Sequence, residues 1–325
     1  MNSVTTLQRQ CAVDAVVVDC IPICREHIAL ELAPPAFPDS TPGQFVQLLC
    51  RSATEPETEA LAWPADGFPS LSAHFSAQEP LLRRPFSIAD HWIDGTGQAR
   101  LRVISRAVGA GTRWLAQLQA GDTLNLTGPL GRGFCLPSPE TPVVLVGGGV
   151  GIPPLMYLAR RLYDLGHRDV VAIFGATTHD LLPLRLTAEP PHAATPTVCA
   201  VLPGAAAFPA ILTSDDGTLG LRGRVTDALA AWHARYADPR RPALVCACGP
   251  DAMLRAVADL TRAHGLACQL CIERPMGCGV GTCLSCVVRR ADAEHAAGWR
   301  WALTCTDGPV FARDDLLDYG PVRSA

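Results

Sequence analysis

Four cysteines near the C-terminus restrict this chain more than any other feature. Cys278, Cys283 and Cys286 lie in Met276-Gly277-Cys278-Gly279-Val280-Gly281-Thr282-Cys283-Leu284-Ser285-Cys286, and Cys305 follows in Leu303-Thr304-Cys305-Thr306-Asp307-Gly308-Pro309. The spacing C-x4-C-x2-C…C is that of a 2Fe–2S site, where two irons bridged by two sulfides take four thiolates from a compact rim. Gly277, Gly279 and Gly281 let the backbone curl around such a cluster and point N–H groups at its sulfurs. A structural zinc site also takes four cysteines. Zinc sites favour paired short knuckles, and this triplet with interleaved glycines departs from that pattern. The spacing favours the cluster.

The 325 residues leave room for two ordinary domains and a small appendage. Apolar content of 48% and charged content of 18% describe a globular chain with ample core, and a net charge of −4 gives no footprint for nucleic acid or an anionic membrane. All 27 basic residues are arginine, which excludes a P-loop or Schiff-base lysine. No opening stretch joins a basic region to an apolar run, so no secretory signal is expected. The most apolar run, 143–157, is broken by glycines and prolines and is too short to span a bilayer. Fourteen cysteines without a signal read as reduced thiols, which places the chain in the cytoplasm. Cys11, Cys20, Cys50, Cys199, Cys246 and Cys268 sit in apolar runs and read as small core residues.

From Cys11 to Gly133 the pattern is all-β. Short alternating or β-branched runs at 13–18, 27–32, 44–49, 85–88, 100–105 and 123–127 suggest a small antiparallel barrel. A stretch at 52–80, rich in Ala, Pro, Ser and Glu, reads as a surface insertion. Two barrel stretches can carry chemistry. In Arg83-Arg84-Pro85-Phe86-Ser87-Ile88, an arginine beside an aromatic and a hydroxyl can hold a pyrophosphate and cover a flavin ring. The plain alternative is a solvated charge on a barrel edge. In Val108-Gly109-Ala110-Gly111-Thr112-Arg113-Trp114-Leu115, glycines lead into a short helix with Thr112 as its expected N-cap. That is an anion site or simply a capped turn.

From Thr141 the period changes. Val143-Val144-Leu145-Val146 reads as a buried strand, and Gly147-Gly148-Gly149-Val150-Gly151-Ile152-Pro153-Pro154 turns into a helix through Leu162. Strand, glycine turn and helix make a dinucleotide pyrophosphate site, with Pro154 where the strict fingerprint has a third glycine. The alternative is a glycine-rich turn without ligand. Strands at 170–174, 198–202 and 243–248 alternate with helices at 226–234 and 251–264, which argues a parallel sheet flanked by helices. Cys246-Ala247-Cys248-Gly249-Pro250 delivers a thiol to the carboxyl edge of that sheet. Cys248 is either inert core or a site residue, and the following glycine and proline favour the site. A last strand at 268–272 runs into the cysteine loop, and Trp299 and Trp301 bracket another. No arginine follows the second strand until Arg185, while Asp180 can accept a ribose hydroxyl or cap a helix, so NAD is expected over NADP. Apolar residues around the ligands (Pro275, Met276, Val280, Leu284, Val287, Val310 and Phe311) point to a fixed partner docking on the loop and on the turn 307–311.

Barrel, parallel sheet and cysteine cluster follow the order of the ferredoxin–NADP reductase superfamily. The chain most resembles the electron transfer subunits of bacterial NAD-linked dihydroorotate dehydrogenases, over nearly its whole length. Arg84-Pro85-Phe86-Ser87 is similar to that family's first FAD motif, and Ile104-Ser105-Arg106 with Gly111-Thr112 to its later FAD contacts. Ser105 stands where an aromatic is common. Gly149, Gly151 and Pro154, with Cys248, Gly249 and Pro250, resemble the nicotinamide-side motifs, Cys248 at the catalytic position. Cys278, Cys283, Cys286 and Cys305 match the four metal ligands.

The resemblance implies an FAD-binding barrel at 9–137, an NAD-binding α/β domain at 138–265 and a 2Fe–2S module at 266–325. It also implies a partner, the FMN-containing catalytic subunit, in a heterotetramer of two catalytic and two electron transfer subunits. Electrons then run from FMN through the cluster and FAD to NAD, in pyrimidine biosynthesis. Nothing in this chain resembles a dihydroorotate site. Rival readings are the reductase subunit of another heteromeric complex (a ferredoxin–NADP transhydrogenase, sulfide dehydrogenase or hydrogenase), a self-contained oxygenase reductase, and a zinc-stapled binding module.

Overall fold

The computed structural model describes residues 10–51, 82–201 and 207–320. The expected insertion at 52–80 lies outside them, as does the last residue of the strand expected at 198–202. The first half is a barrel of β1 (Cys11–Cys24), β2 (His27–Ala33), β3 (Phe45–Leu48), β4 (Arg84–Ile93), β5 (Ala99–Arg106) and, after the short helix α1 (Ala110–Leu115), β6 (Thr123–Leu130). These strands pair antiparallel and close in the order β1-β2-β5-β4-β3-β6. Period-two patterning is the cause. In β5, Ala99, Leu101, Val103 and Ser105 are buried while the residues between them are half-buried. Leu30, Leu32, Val46, Leu48, Leu124 and Leu126 fill the same core.

The second half is an α/β layer. In chain order come β7 (Val143–Gly148), α2 (Ile152–Asp164), β8 (Val170–Ala176), β9 (Arg185–Leu186), β10 (Thr197–Val201), β11 (Ala207–Ser214), β12 (Leu221–Arg222), α3 (Val225–Tyr236), β13 (Leu244–Cys248), α4 (Asp251–Ala263) and β14 (Ala267–Cys271). A hairpin of β15 (Val287–Ala291) and β16 (Trp299–Leu303) follows, and β17 (Val310–Ala312) ends the strands. The sheet runs β17-β14-β13-β7-β8-β11-β10-β9, with β14, β13, β7, β8 and β11 parallel. Leu155, Leu158 and Leu162 of α2 join the core on one face. Leu229 and Trp232 of α3 and Leu254 and Val257 of α4 join the other. The sequence reading has no strand at β11, because Pro209 interrupts its apolar run. β8 pairs only from Ala210 onward, and on the other side Pro209 faces Val198 of β10 beside a bulge in that ladder, a place where a strand tolerates proline.

β14 and β17 both belong to this sheet, so residues 272–309 leave it at one strand and return at the next. That return changes one expectation. The turn 307–311 is not on a partner-facing surface: Val310 and Phe311 are buried. The Arg132 N–H donates to the Gly308 carbonyl at 2.5 Å, and a Cβ on Gly43 would lie 2.6 Å from Val310 Cγ2. The turn is spent on docking the sheet to the barrel.

A second seam joins α2 to β4. Arg160 Nε donates to Asp90 Oδ1 at 2.8 Å, its Nη2 donates to the His91 carbonyl at 2.6 Å, and the Tyr157 hydroxyl donates to the Ser40 carbonyl at 2.8 Å. Asp90 is buried, and burial pushes its carboxyl up against the pull of Arg160 and Arg102. Removing one partner of a buried pair strands the other charge. Arg160→Ala is therefore expected to cost about 2–3 kcal/mol, below the ~3–5 of a fully buried pair because Arg160 keeps some solvent. The guanidinium midpoint of the purified chain measures it.

Candidate functional site

A cleft of about 1120 Å³ opens between the barrel and the carboxyl edge of the sheet. The start of β4 and the end of β5 bring Pro85, Phe86, Ser87, Ile104, Ser105 and Arg106 to its barrel wall, and Thr112 joins them from α1. Gly149 and Cys248 line the opposite wall at the ends of β7 and β13. The remaining expected residues sit behind this surface. Arg84 is exposed at the start of β4, with its Cγ 3.6 Å from where a Cβ would stand on Gly111. The Arg84 stem thus lies in van der Waals range of α1, and bare Gly111 makes room for Cys50, whose Cβ and Sγ would stand 3.2 and 3.3 Å from a Cβ there. Gly151 is buried under the next strand, where a Cβ would be 2.2 Å from the Cys248 carbonyl oxygen. Gly249 has φ +158° and backs onto Met253, and Pro154 is buried in the first turn of α2. These residues let two turns nest; they do not line the cleft.

Thr112 is not the N-cap of α1. Gly109 takes that position with an extended backbone, and Thr112 sits at the third helical residue. Its Oγ1 accepts from the Val108 N–H at 3.0 Å and the Gly109 N–H at 2.9 Å. Asp180 is likewise displaced. Thr178 precedes its short 3-10 turn, and the Asp180 carboxylate pairs with Arg25 of the barrel at 3.0 Å, both groups more than half exposed. The charges that do line the nucleotide end of the cleft are Asp215, after β11, and Arg224, before α3. The sequence reading missed both because β11 was missed.

His27 was missed as well, since a histidine opening a strand carries no signal of its own. It lines the cleft yet is only 2% exposed. Its Nδ1 lies 3.0 Å from the Arg25 carbonyl, an acceptor, so Nδ1 carries the proton. Burial pushes its pKa down, which leaves a neutral ring with Nε2 as an unpaired acceptor. The Ser105 hydroxyl is buried without a partner too. Cys248 is 3% exposed, and the neighbouring Cys271 thiol together with burial push its pKa well up. It remains a neutral thiol.

The cysteine loop builds a shell of donors. Cys278 Sγ accepts from the backbone N–H groups of Val280, Thr282 and Cys283 at 3.4, 3.2 and 3.3 Å. Cys283 Sγ accepts from the Cys278 N–H at 3.4 Å and lies 3.1 Å from the Ser285 hydroxyl. That hydroxyl, with the N–H groups of Ser285 and Cys278, lowers the Cys283 pKa to about 6. The curl needs left-handed backbone at Gly279 (φ +73°) and Gly281 (φ +88°). Cys286 and Cys305 are buried with Phe45 and Leu130 of the barrel, and burial with the Cys286 thiol pushes Cys305 to about 12. Among the described residues no three His, Cys, Asp or Glu side chains are gathered as a ready-made metal-ion site; the sulfurs neighbour one another in pairs, Cys278 with Cys283 and Cys286 with Cys305. N–H groups converging on sulfur and a thiolate-favouring shell suit an anionic iron–sulfur group.

Comparison with known proteins agrees with this geometry. The model for the iron-sulfur cluster binding domain of dihydroorotate dehydrogenase B matches residues 273–317, and that for the oxidoreductase NAD-binding domain matches 145–259. The dihydroorotate dehydrogenase B (NAD(+)) electron transfer subunit of Geobacillus kaustophilus is 36% identical over 246 residues, covering 74% of this chain and 82% of that one. The corresponding subunit of Desulforamulus reducens is 29% identical, covering 84% and 85%. Among solved structures, that of an NADH-dependent reduced ferredoxin-NADP oxidoreductase superposes with a TM-score of 0.67 at 24% identity, over 93% of this chain and 89% of the other, which shows a shared fold.

Cys283→Ser should remove the iron and leave the flavin, because a serine oxygen is a poor substitute for a soft thiolate and the barrel core is separate. Iron content and the flavin spectrum of the purified variant check this. Iron at the wild-type level would take Cys283 out of the ligand set.

Proposed function

Since the chain belongs to the family of dihydroorotate dehydrogenase B (NAD(+)) electron transfer subunits, we propose that it links a partner's dihydroorotate chemistry to NAD through a 2Fe–2S cluster and FAD. One observation carries this reading: the cleft joins the flavin motif of the barrel to the nucleotide edge of the sheet, and the cysteine loop packs on the same barrel. FAD and the cluster, when bound, supply the exchange between a two-electron hydride and single electrons.

The chain's own residues bind, orient and insulate. Arg84 beside α1 holds the flavin pyrophosphate, as a planar fork suited to phosphate. Pro85 and Phe86 cover the ring, and Ser87, Ser105 and His27 offer polar contacts along its edge. Ile104, Arg106 and Thr112 complete that wall. The bare turn at Gly149 and Gly151 lets the backbone approach the NAD pyrophosphate closely; the contact falls to this turn because Pro153 and Pro154 in the first turn of α2 carry no N–H and Ile152 donates to the Gly149 carbonyl. Cys248, a neutral thiol walled by Cys271, keeps water and charge away from the place where ring and nicotinamide meet. Cys278, Cys283, Cys286 and Cys305 hold the cluster.

The partner is an FMN-containing catalytic subunit, in a two-plus-two heterotetramer. With the turn at 307–311 internal, docking falls to the exposed apolar residues nearby: Val280 and Leu284 on the loop and Trp301 on its hairpin. No helix among the described residues is long and apolar enough to cross a membrane. The purified chain should reduce artificial acceptors with NADH and leave dihydroorotate untouched. Co-expressed with an FMN-type dihydroorotate dehydrogenase, it should co-elute on gel filtration and gain dihydroorotate:NAD activity. Separate elution at micromolar concentration, or dihydroorotate oxidation by the lone chain, overturns the assignment.

Nucleotide choice rests on Asp215. Its carboxylate lines the cleft without a partner among the described residues, ready for a ribose hydroxyl and repulsive to a 2′-phosphate. Asp215→Asn should move the NADH-over-NADPH preference in kcat/KM by about tenfold, ~1.4 kcal/mol, the scale of one charge-assisted bond. An unchanged ratio places discrimination elsewhere.

A further inference from the structure

β3 alternates strictly. Val46 and Leu48 point into the barrel core, and Phe45 and Gln47 point outward under the cysteine loop. An outward position on a barrel usually meets water, yet Gln47 is 1% exposed. Neither its Nε2 nor its Oε1 has a hydrogen-bond partner. Such a group costs about 1–3 kcal/mol when left unpaired, and an apolar side chain of similar shape avoids that cost. The other buried glutamines of the described residues behave differently. Gln44 donates to the Gly131 carbonyl at 2.8 Å and accepts from the Thr41 N–H at 2.7 Å. Gln269 donates to and accepts from the Cys135 backbone, both at 2.8 Å. Gln47 is the exception, and it lies against the loop that carries the ligands.

The neighbour of its amide is Gly279, next to Cys278. A Cβ there would stand 2.4 Å from Gln47 Nε2 and 2.8 Å from its Cγ, so only glycine permits this approach. Thr304, which precedes Cys305, also leaves a buried hydroxyl unpaired. Two polar groups without hydrogen-bond partners thus adjoin residues next to the cysteines.

We propose that Gln47 is a positioning residue for the iron–sulfur cluster: the buried, unpaired amide pressed on Gly279 donates to a sulfur of the group held at Cys278. The inference rests on the four cysteines holding that cluster. An N–H directed at a cluster sulfur favours the more negative, reduced state and so raises the reduction potential. Gln47 shares a strand face with Phe45, which lines the flavin cleft, so one rigid strand sets both cofactors.

Gln47→Leu in the full chain with its cofactors is the test. The cluster midpoint, read by EPR-monitored titration, should fall by about tenfold in the one-electron equilibrium, ~59 mV, with flavin content unchanged. Stripped of its cluster, the same variant should melt above the stripped wild type, because the orphan amide is gone. A glutamine that merely braces protein groups would lower both melting points and leave the potential alone. For the case that the variant does not load, wild-type protein labelled with 15N-glutamine should show coupling of a side-chain nitrogen to the reduced cluster. An unchanged potential in iron-replete Gln47→Leu, or no such coupling in the wild type, overturns the proposal. Wild type that binds no iron would instead overturn the ligand assignment beneath it.

Discussion

The pairing of β17 on β14 is the constraint on which the rest depends. Gln269 faces Ala312, Leu270 faces Phe311 and Cys271 faces Val310 across this antiparallel ladder. The chain leaves the sheet at the end of β14 and must come back within 272–309, so the cysteine loop is tethered at both ends to the nucleotide edge. The same return carries Gly308 and Pro309 onto the barrel at Arg132. Three bodies that are distinct in sequence are thereby fixed around one cleft.

How much of this was legible in the sequence divides along one line. Local chemistry could be read: the cysteine spacing, the glycine turn before α2, and period two in β5 all appear where their residues place them. What depended on non-local pairing could not. β11 was lost to Pro209, which sits before the β8 pairing begins and beside the bulge in the β10 ladder. With it went Asp215 and the role of Arg224 as a cleft residue. The turn 307–311 read as apolar surface because nothing in a sequence says that Gly43 and Gly131 leave room for it. Thr112 was recognised as a capping residue but placed three positions too early in its function, reaching back from inside the helix.

Charged groups line the nucleotide end of the cleft, while Cys248 and His27 on its walls are neutral. Cys248 and Cys271 are buried side by side, and the Cys271 thiol together with burial keeps Cys248 neutral. His27 is neutral by burial, with its proton fixed on Nδ1. Glu273, at the mouth, is pushed toward its neutral form by the same desolvation, although its surface remains partly open. A low-charge wall strengthens the few polar contacts that remain and spares a flavin or nicotinamide ring from competing ionic partners.

Buried polar atoms without protein partners give the last link between sequence and function. A chain that folded for stability alone would avoid them, since each costs about 1–3 kcal/mol. Those at His91, Arg102 and His167 lie away from the cleft, but the others sit near it or near the cysteines: His27 Nε2 and the Ser105 hydroxyl at the cleft, the Gln47 amide against the cysteine loop and the Thr304 hydroxyl next to Cys305. Ser105 makes the point in one residue. An aromatic at this position would need no hydrogen-bond partner for its body. Serine leaves space and an open hydroxyl instead, and His27 lines that space from the adjacent strand, its neighbour Ile28 paired directly with Ser105. The two give that side of the cleft a polar edge suited to hydrogen bonding rather than stacking.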